Sequence, residues 1–262
     1  MDQILSMYTQ CALEGLTYDP AQESAADFVK SLPKRTLGAI MGIIKAMGNA
    51  IMKLVNAIRL KIRKKGMTRA SYGALVKARP HVTAAVSKTL EAAHILIADI
   101  QHQFLRFRKI MRTKNWYKDN KTVDQANDEF AGAQNNLKKI QDLEAEVKDA
   151  VDAADDALNG AGASGDGPIV TDPSKLEELE KWVETMAKKA KLIQANAIDA
   201  ANKLAKLGAE QMSEWSGSNM TNITRWLAQA STATSRMGSS CVTLLNKVDK
   251  TMAAGSLSSS KD

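Results

Sequence analysis

Along most of the chain apolar residues recur every three or four positions, the period of an amphipathic helix. Between 36 and 65 they are Leu37, Ile40, Met41, Ile44, Met47, Ile51, Leu54, Val55, Ile58 and Ile62. That stripe predicts a rod roughly 45 Å long at the helical rise per residue. Gly66 supplies its stop, because glycine enters the left-handed conformation of a helix C-terminus without a Cβ clash. A second stripe, Val82, Val86, Leu90, Ala93, Ile97, Ile100, Phe104, Phe107 and Met111, predicts a helix opening at Pro80 and ending near Arg112.

Thr122 with Gln125 reads as a capping box for a third helix. Phe130, Leu137, Ile140, Val147, Val151 and Leu158 mark its inner face. Asp172-Pro173-Ser174 with Glu177 is a second capping box. After it Leu176, Leu179, Val183, Met186, Ala190, Ile193, Ala197, Ala200, Leu204 and Leu207 alternate spacings of three and four, a regular heptad. Ser216–Asn219 interrupts the pattern. Ile223, Trp226, Ala230, Ala233, Met237, Cys241, Leu244, Val248 and Met252 then carry a last helix to a Ser-rich tail at 256–260. At the other end, residues 2–14 form a short apolar-polar segment. Asp19-Pro20 begins a short helix to about Leu32, and Pro33 resets the chain.

No segment alternates β-branched residues between turn signals, so no strand is predicted. The expected fold is all-α: an elongated antiparallel bundle of four to five long helices with coiled-coil-like heptads. Four regions follow: an acidic leader at 1–32, basic amphipathic helices at 33–121, a helical region at 122–255 and a flexible tail at 256–262. Residues 160–168, Gly-Ala-Gly-Ala-Ser-Gly-Asp-Gly-Pro, read as a linker inside the third.

Charge changes this picture more than composition does. The 262 residues carry a formal +7, but residues 1–27 hold five acids and no base. Residues 28–121 hold 21 bases against Glu91, Asp99 and Asp119, and residues 122–262 hold 15 bases against 21 acids. The balance runs −5, +18, −6. A block with no acid from Asp27 to Glu91 calls for a polyanion, an anionic membrane, or the chain's own acidic segments as its partner. Candidate polyanion-binding residues are Lys45, Lys53, Arg59, Lys61, Arg63, Lys64, Lys65 and Arg69, then Arg106, Arg108, Lys109, Arg112 and Lys114. Trp116 and Tyr117 follow the second cluster, where aromatics can stack on exposed bases or merely cap the bundle.

Helix 36–65 has a wide apolar arc and a purely cationic polar face, with Gly38, Gly42, Ala46 and Ala50 as a ladder of small residues. It reads either as an interfacial helix or as a central bundle helix whose basic end meets the acidic C-terminal half. Lys45 and Lys53 interrupt it as a membrane span.

Candidate chemistry is sparse. Gly160-x-Gly162-x-x-Gly165 has the letters of a dinucleotide loop, but a helix precedes it and Pro168 and Pro173 follow. His81, His94 and His102 lack a carboxylate that would complete a metal set. The acids Glu177, Glu178 and Glu180, and Asp152, Asp155 and Asp156, read as solvated helix faces. Cys11 and Cys241 read as small apolar fillers, which excludes a disulfide scaffold. With no triad and no phosphate loop, the sequence points away from an enzyme and calls for no cofactor and no metal. The absence of Lys and Arg from the first 29 residues argues against a signal peptide, so export by that route is not expected.

The leader Met1–Glu23 contains Ala12-Leu13-Glu14 before Gly15 and Ala21-Gln22-Glu23 before Ser24, then runs into a basic helical body. In this it resembles the head-internal structural proteins of giant tailed bacteriophages. The likeness covers the first 25 to 65 residues; Gly208-Ala209-Glu210 repeats the small-x-Glu pattern inside the heptad helix. The resemblance implies cleavage after Glu14 or Glu23 by a prohead maturation protease. It also implies a place inside the virion head beside packaged DNA. Outside that resemblance the expected location is cytoplasmic, with a membrane-active protein or an oligomeric scaffold as the other readings.

Overall fold

A computed structural model describes residues 25–62, 66–111, 120–159, 169–206 and 218–257. Within them the chain is an all-α helical bundle of five long helices: α1 (Ala25–Ala57), α2 (Arg69–Met111), α3 (Asn120–Asn159), α4 (Pro173–Lys206) and α5 (Ser218–Leu257). α1 runs on into one π-helical turn, Ile58–Ile62. The leader, including Cys11, Glu14 and Glu23, lies outside the described residues, as do the 160–168 linker and the tail beyond 257.

Most described positions of the stripes read from the sequence are buried; Met41, Leu137 and Val151 are half-buried. On α1, Leu37, Ile40, Ile44, Met47, Ile51, Leu54, Val55, Ile58 and Ile62 are all buried. On α4 the buried residues include Leu176, Leu179, Val183, Met186, Ala190, Ala197 and Ala200, whereas Ile193 is half-buried. On α5 it follows Trp226, Ala230, Ala233, Met237, Cys241, Leu244, Val248 and Met252. Burial of these faces is what holds helices of this length, since propensity alone is marginal.

The helix ends obey local chemistry. Gly66 has a φ of 76° and donates its N–H to the Ile62 carbonyl at 2.9 Å, the expected stop. Asp172 caps α4, its Oδ1 accepting the Ser174 N–H at 3.0 Å, with Pro173 at the first helical position. The hydrogen bonds from Ser174, side chain first and then backbone, hold the Asp172 carboxyl below the usual range. Thr68 caps α2 in the same way, accepting the Ser71 N–H at 3.4 Å.

Three expectations are corrected. Pro33 does not reset the chain: it lies within α1. Pro80 does not open its helix: α2 starts eleven residues earlier, at Arg69, and runs through it. A proline in a helix frees the carbonyl four residues before it, here that of Val76. Val76 and Pro80 are both exposed, so water can take that acceptor while Ala74, Leu75, Ala78 and Val82 stay buried on the other side. The third correction is a strand pair. β1 (Met67–Thr68) and β2 (Ile169–Val170) pair antiparallel, Met67 opposite Val170 and Thr68 opposite Ile169. Two residues are too few to leave a periodic signal, and their pairing joins segments a hundred positions apart.

The chain divides into two compact units, each drawn from three stretches of sequence. Unit one comprises 1–42, 91–144 and 194–236; unit two comprises 43–90, 145–193 and 237–262. In unit two Gly238 lets α5 approach α1, since a Cβ there would lie 1.9 Å from Ile43 Cγ2.

Candidate polyanion-contact residues

Lys45 and Lys53 stand on the exposed side of α1, opposite its buried stripe, on the same arc as Gly38, Asn49 and Asn56. Arg69, the first residue of α2, is exposed. Arg59 lies in the π-helical turn. This turn sends Ile58 and Ile62 into the core and leaves Arg59 and Leu60 outside. Lys61 belongs to that turn and Arg106, Arg108 and Lys109 to α2, but their side chains lie outside the described residues. Arg63, Lys64, Lys65, Arg112, Lys114, Trp116 and Tyr117 lie outside them altogether.

Arg59 is the candidate whose surroundings are most defined. Its Nε donates to Glu180 Oε1 at 3.0 Å, and its Nη2 donates to Glu184 Oε1. The hydrogen bond to Glu180, then that to Glu184, raises the guanidinium pKa further, so it stays a cation at any ordinary pH. The basic end of this apolar helix therefore meets acids of the C-terminal half, within unit two. The same seam continues along α2: Arg79 faces Glu178 at 3.9 Å, the Trp182 indole N–H donates to Thr83 at 2.7 Å, and Lys189 donates to Ser87 at 3.2 Å. Lys88 pairs with Glu146 of α3, and Lys247 of α5 with Asp155 at 2.9 Å.

Glu180 is therefore not on a solvated face. It is 7% exposed, whereas Glu177 and Glu178 are open to water. Runs such as Glu177-Glu178-x-Glu180 place neighbours on different faces of a helix, and only the position of the next helix decides which one is covered. A usable signal was the i, i+4 pair Glu180 and Glu184, set to grip one cation from a single helix face.

A second buried acid was not singled out at all. Asp99 on α2 is 7% exposed in unit one; its Oδ1 accepts from the Asn136 side chain, while Oδ2 has no partner among the described residues. Burial pushes its carboxyl up to about 6, against the opposing effect of the Asn136 hydrogen bond. Cys241 is fully buried, 3.1 Å from Thr89 Oγ1, and desolvation pushes its thiol up to about 11. It remains protonated and acts as a small core residue. His81 and His94 are exposed, and among the described residues no three His, Cys, Asp or Glu side chains gather.

Comparison with protein families, curated proteins and solved structures finds no match to this chain.

Proposed function

We propose that the protein is a non-enzymatic virion structural component, an internal head protein of a large tailed phage. Its basic helical body would contact packaged DNA or an acidic protein partner. The observation that carries this reading is the segregated charge. An acid-free stretch from Asp27 to Glu91 holds Lys45, Lys53 and Arg69 toward solvent, and acidic segments flank the basic block 28–121 that contains it. Lysines and arginines on such a stretch neutralise phosphates and release counterions. Cleavage after Glu23 would remove four acids and no base, lifting the net charge from +7 to +11 and strengthening the same contact.

The full-length protein is expected to bind duplex DNA without sequence preference in fluorescence anisotropy. If about six phosphates are engaged, log affinity falls against log salt with a slope near −5. Absence of binding at low salt overturns the DNA reading. Mass spectrometry of the native N-terminus tests the leader, and an intact Met1 removes the processing argument.

A second reading is favoured by one feature. Leu37–Leu60 is long and apolar enough to cross a membrane, and 44% of an 18-residue window within it is buried. A helix released onto anionic lipid would float with liposomes in high salt, whereas a DNA-side protein would stay in the soluble fraction.

A further inference from the structure

Arg59 has two carboxylates on one guanidinium. They come from one turn of α4 and take the Nε and Nη2 donors of the guanidinium. That fork is the geometry by which arginine grips a phosphate. The contact is also open to competition. The Arg59 side chain is 51% exposed and Glu184 36%, while Glu180, at 9%, anchors the pair from inside. An external anion can therefore reach the guanidinium without any disturbance of Ile58 or Ile62 beneath it.

We propose that Glu180 and Glu184 act as a built-in competitor for polyanion, an autoinhibitory clamp that occupies Arg59 and lowers the affinity of this edge for phosphate. The proposal rests on the polyanion reading above and adds its regulation. The acids of α4 are held beside Arg59 by the fold, at an effective concentration that free phosphate must overcome. Neutralising them releases one arginine to the outside and adds one phosphate contact. Nothing else in the contact need change, because Lys45 and Arg69 sit on other exposed positions.

The test uses the full chain and a 30-base-pair duplex of random sequence, titrated at several salt concentrations. Glu184→Gln, and the double variant E180Q/E184Q, are expected to bind about eightfold tighter than wild type at 0.1 M salt. Their slope should steepen by about 0.9, with the advantage vanishing near 1 M. In an Arg59→Gln background the same substitutions should bring no gain. Asp152→Asn removes an exposed acid that does not touch Arg59, and so measures the effect of net charge alone. Should the double variant fail to fold by circular dichroism, the half-exposed Glu184→Gln carries the test by itself. Equal affinity of Glu184→Gln and wild type overturns the clamp while leaving the polyanion reading intact. So does an equal gain in the R59Q background. Failure of both wild type and variants to bind DNA overturns the polyanion reading, and the clamp with it.

Discussion

Glu180 and Asp99 are equally hidden, each 7% exposed, yet the two units treat them differently. In unit two Glu180 meets the guanidinium of Arg59, and a series of cross-helix ion pairs and hydrogen bonds continues to Trp182 and Lys189. In unit one the described partner of Asp99 is the neutral amide of Asn136. There Trp226 Nε1, Ser231 Oγ and Ser235 Oγ are likewise buried without a partner among the described residues. A buried carboxylate beside a neutral amide gains by taking up a proton. Among the described residues unit two sets its buried acid against a cation, whereas unit one, which has the cross-helix pairs Lys139–Glu91 and Arg236–Glu144, leaves several buried polar atoms unpartnered.

The largest test of that contrast is the pH dependence of stability. The Asp99 carboxyl is raised from 3.8 to about 6. Between those values the folded chain holds a proton that the unfolded chain has lost. Stability therefore falls as pH rises through this window, by up to about 3 kcal/mol at 1.4 kcal/mol per unit. Asp99→Asn should raise the urea midpoint at pH 7.5, leave it nearly unchanged at pH 3.5, and flatten the profile between. An unchanged profile would mean that Asp99 is not the desolvated acid of unit one.

The next effect belongs to unit two. Gly238→Ala places a Cβ on the β-branched side chain of Ile43, which is held close to its own backbone and has little room to move. A loss of about 2 kcal/mol in chemical denaturation is expected from such overpacking. A neutral result would show that α1 and α5 are not seated as closely as Gly238 allows.

The smallest effect sharpens the comparison most. Trp182→Phe removes an indole N–H bonded to Thr83, whereas Trp226→Phe removes one with no described partner. The two rings lose similar volume, so the difference isolates the hydrogen bond, about 1 kcal/mol in favour of the Trp226 variant. Equal losses would erase the distinction between the two units.

The readable part of this protein is its helices. The stripes on α1, α4 and α5 were legible at most of their described positions, with Met41 and Ile193 only half-buried, because inward-facing residues on a helix recur at a period set by local backbone geometry. The glycine stop at Gly66 and the Asp172 cap were legible for the same reason: each depends on residues within one turn. Pro80 misled because its effect depends on a non-local fact, whether the carbonyl it frees faces water. The candidate site was legible only as a block of charge. Nothing in the sequence separated Arg59, which α4 holds, from Lys45 and Arg69, which stand open to solvent.

The sequence by itself determined an all-α chain, most of the inner faces of α1, α4 and α5 and the uneven spread of its charge, since these follow from spacing and composition along one strand of covalent structure. Only the tertiary structure decided which charges face a partner. The pairing of Arg59 with Glu180 and Glu184 spans more than 120 positions, that of β1 with β2 about a hundred, and the burial of Asp99 depends on where α2 lies against its neighbours. An electrostatic contact depends on distance and dielectric, and both are set by packing between helices that are remote in sequence.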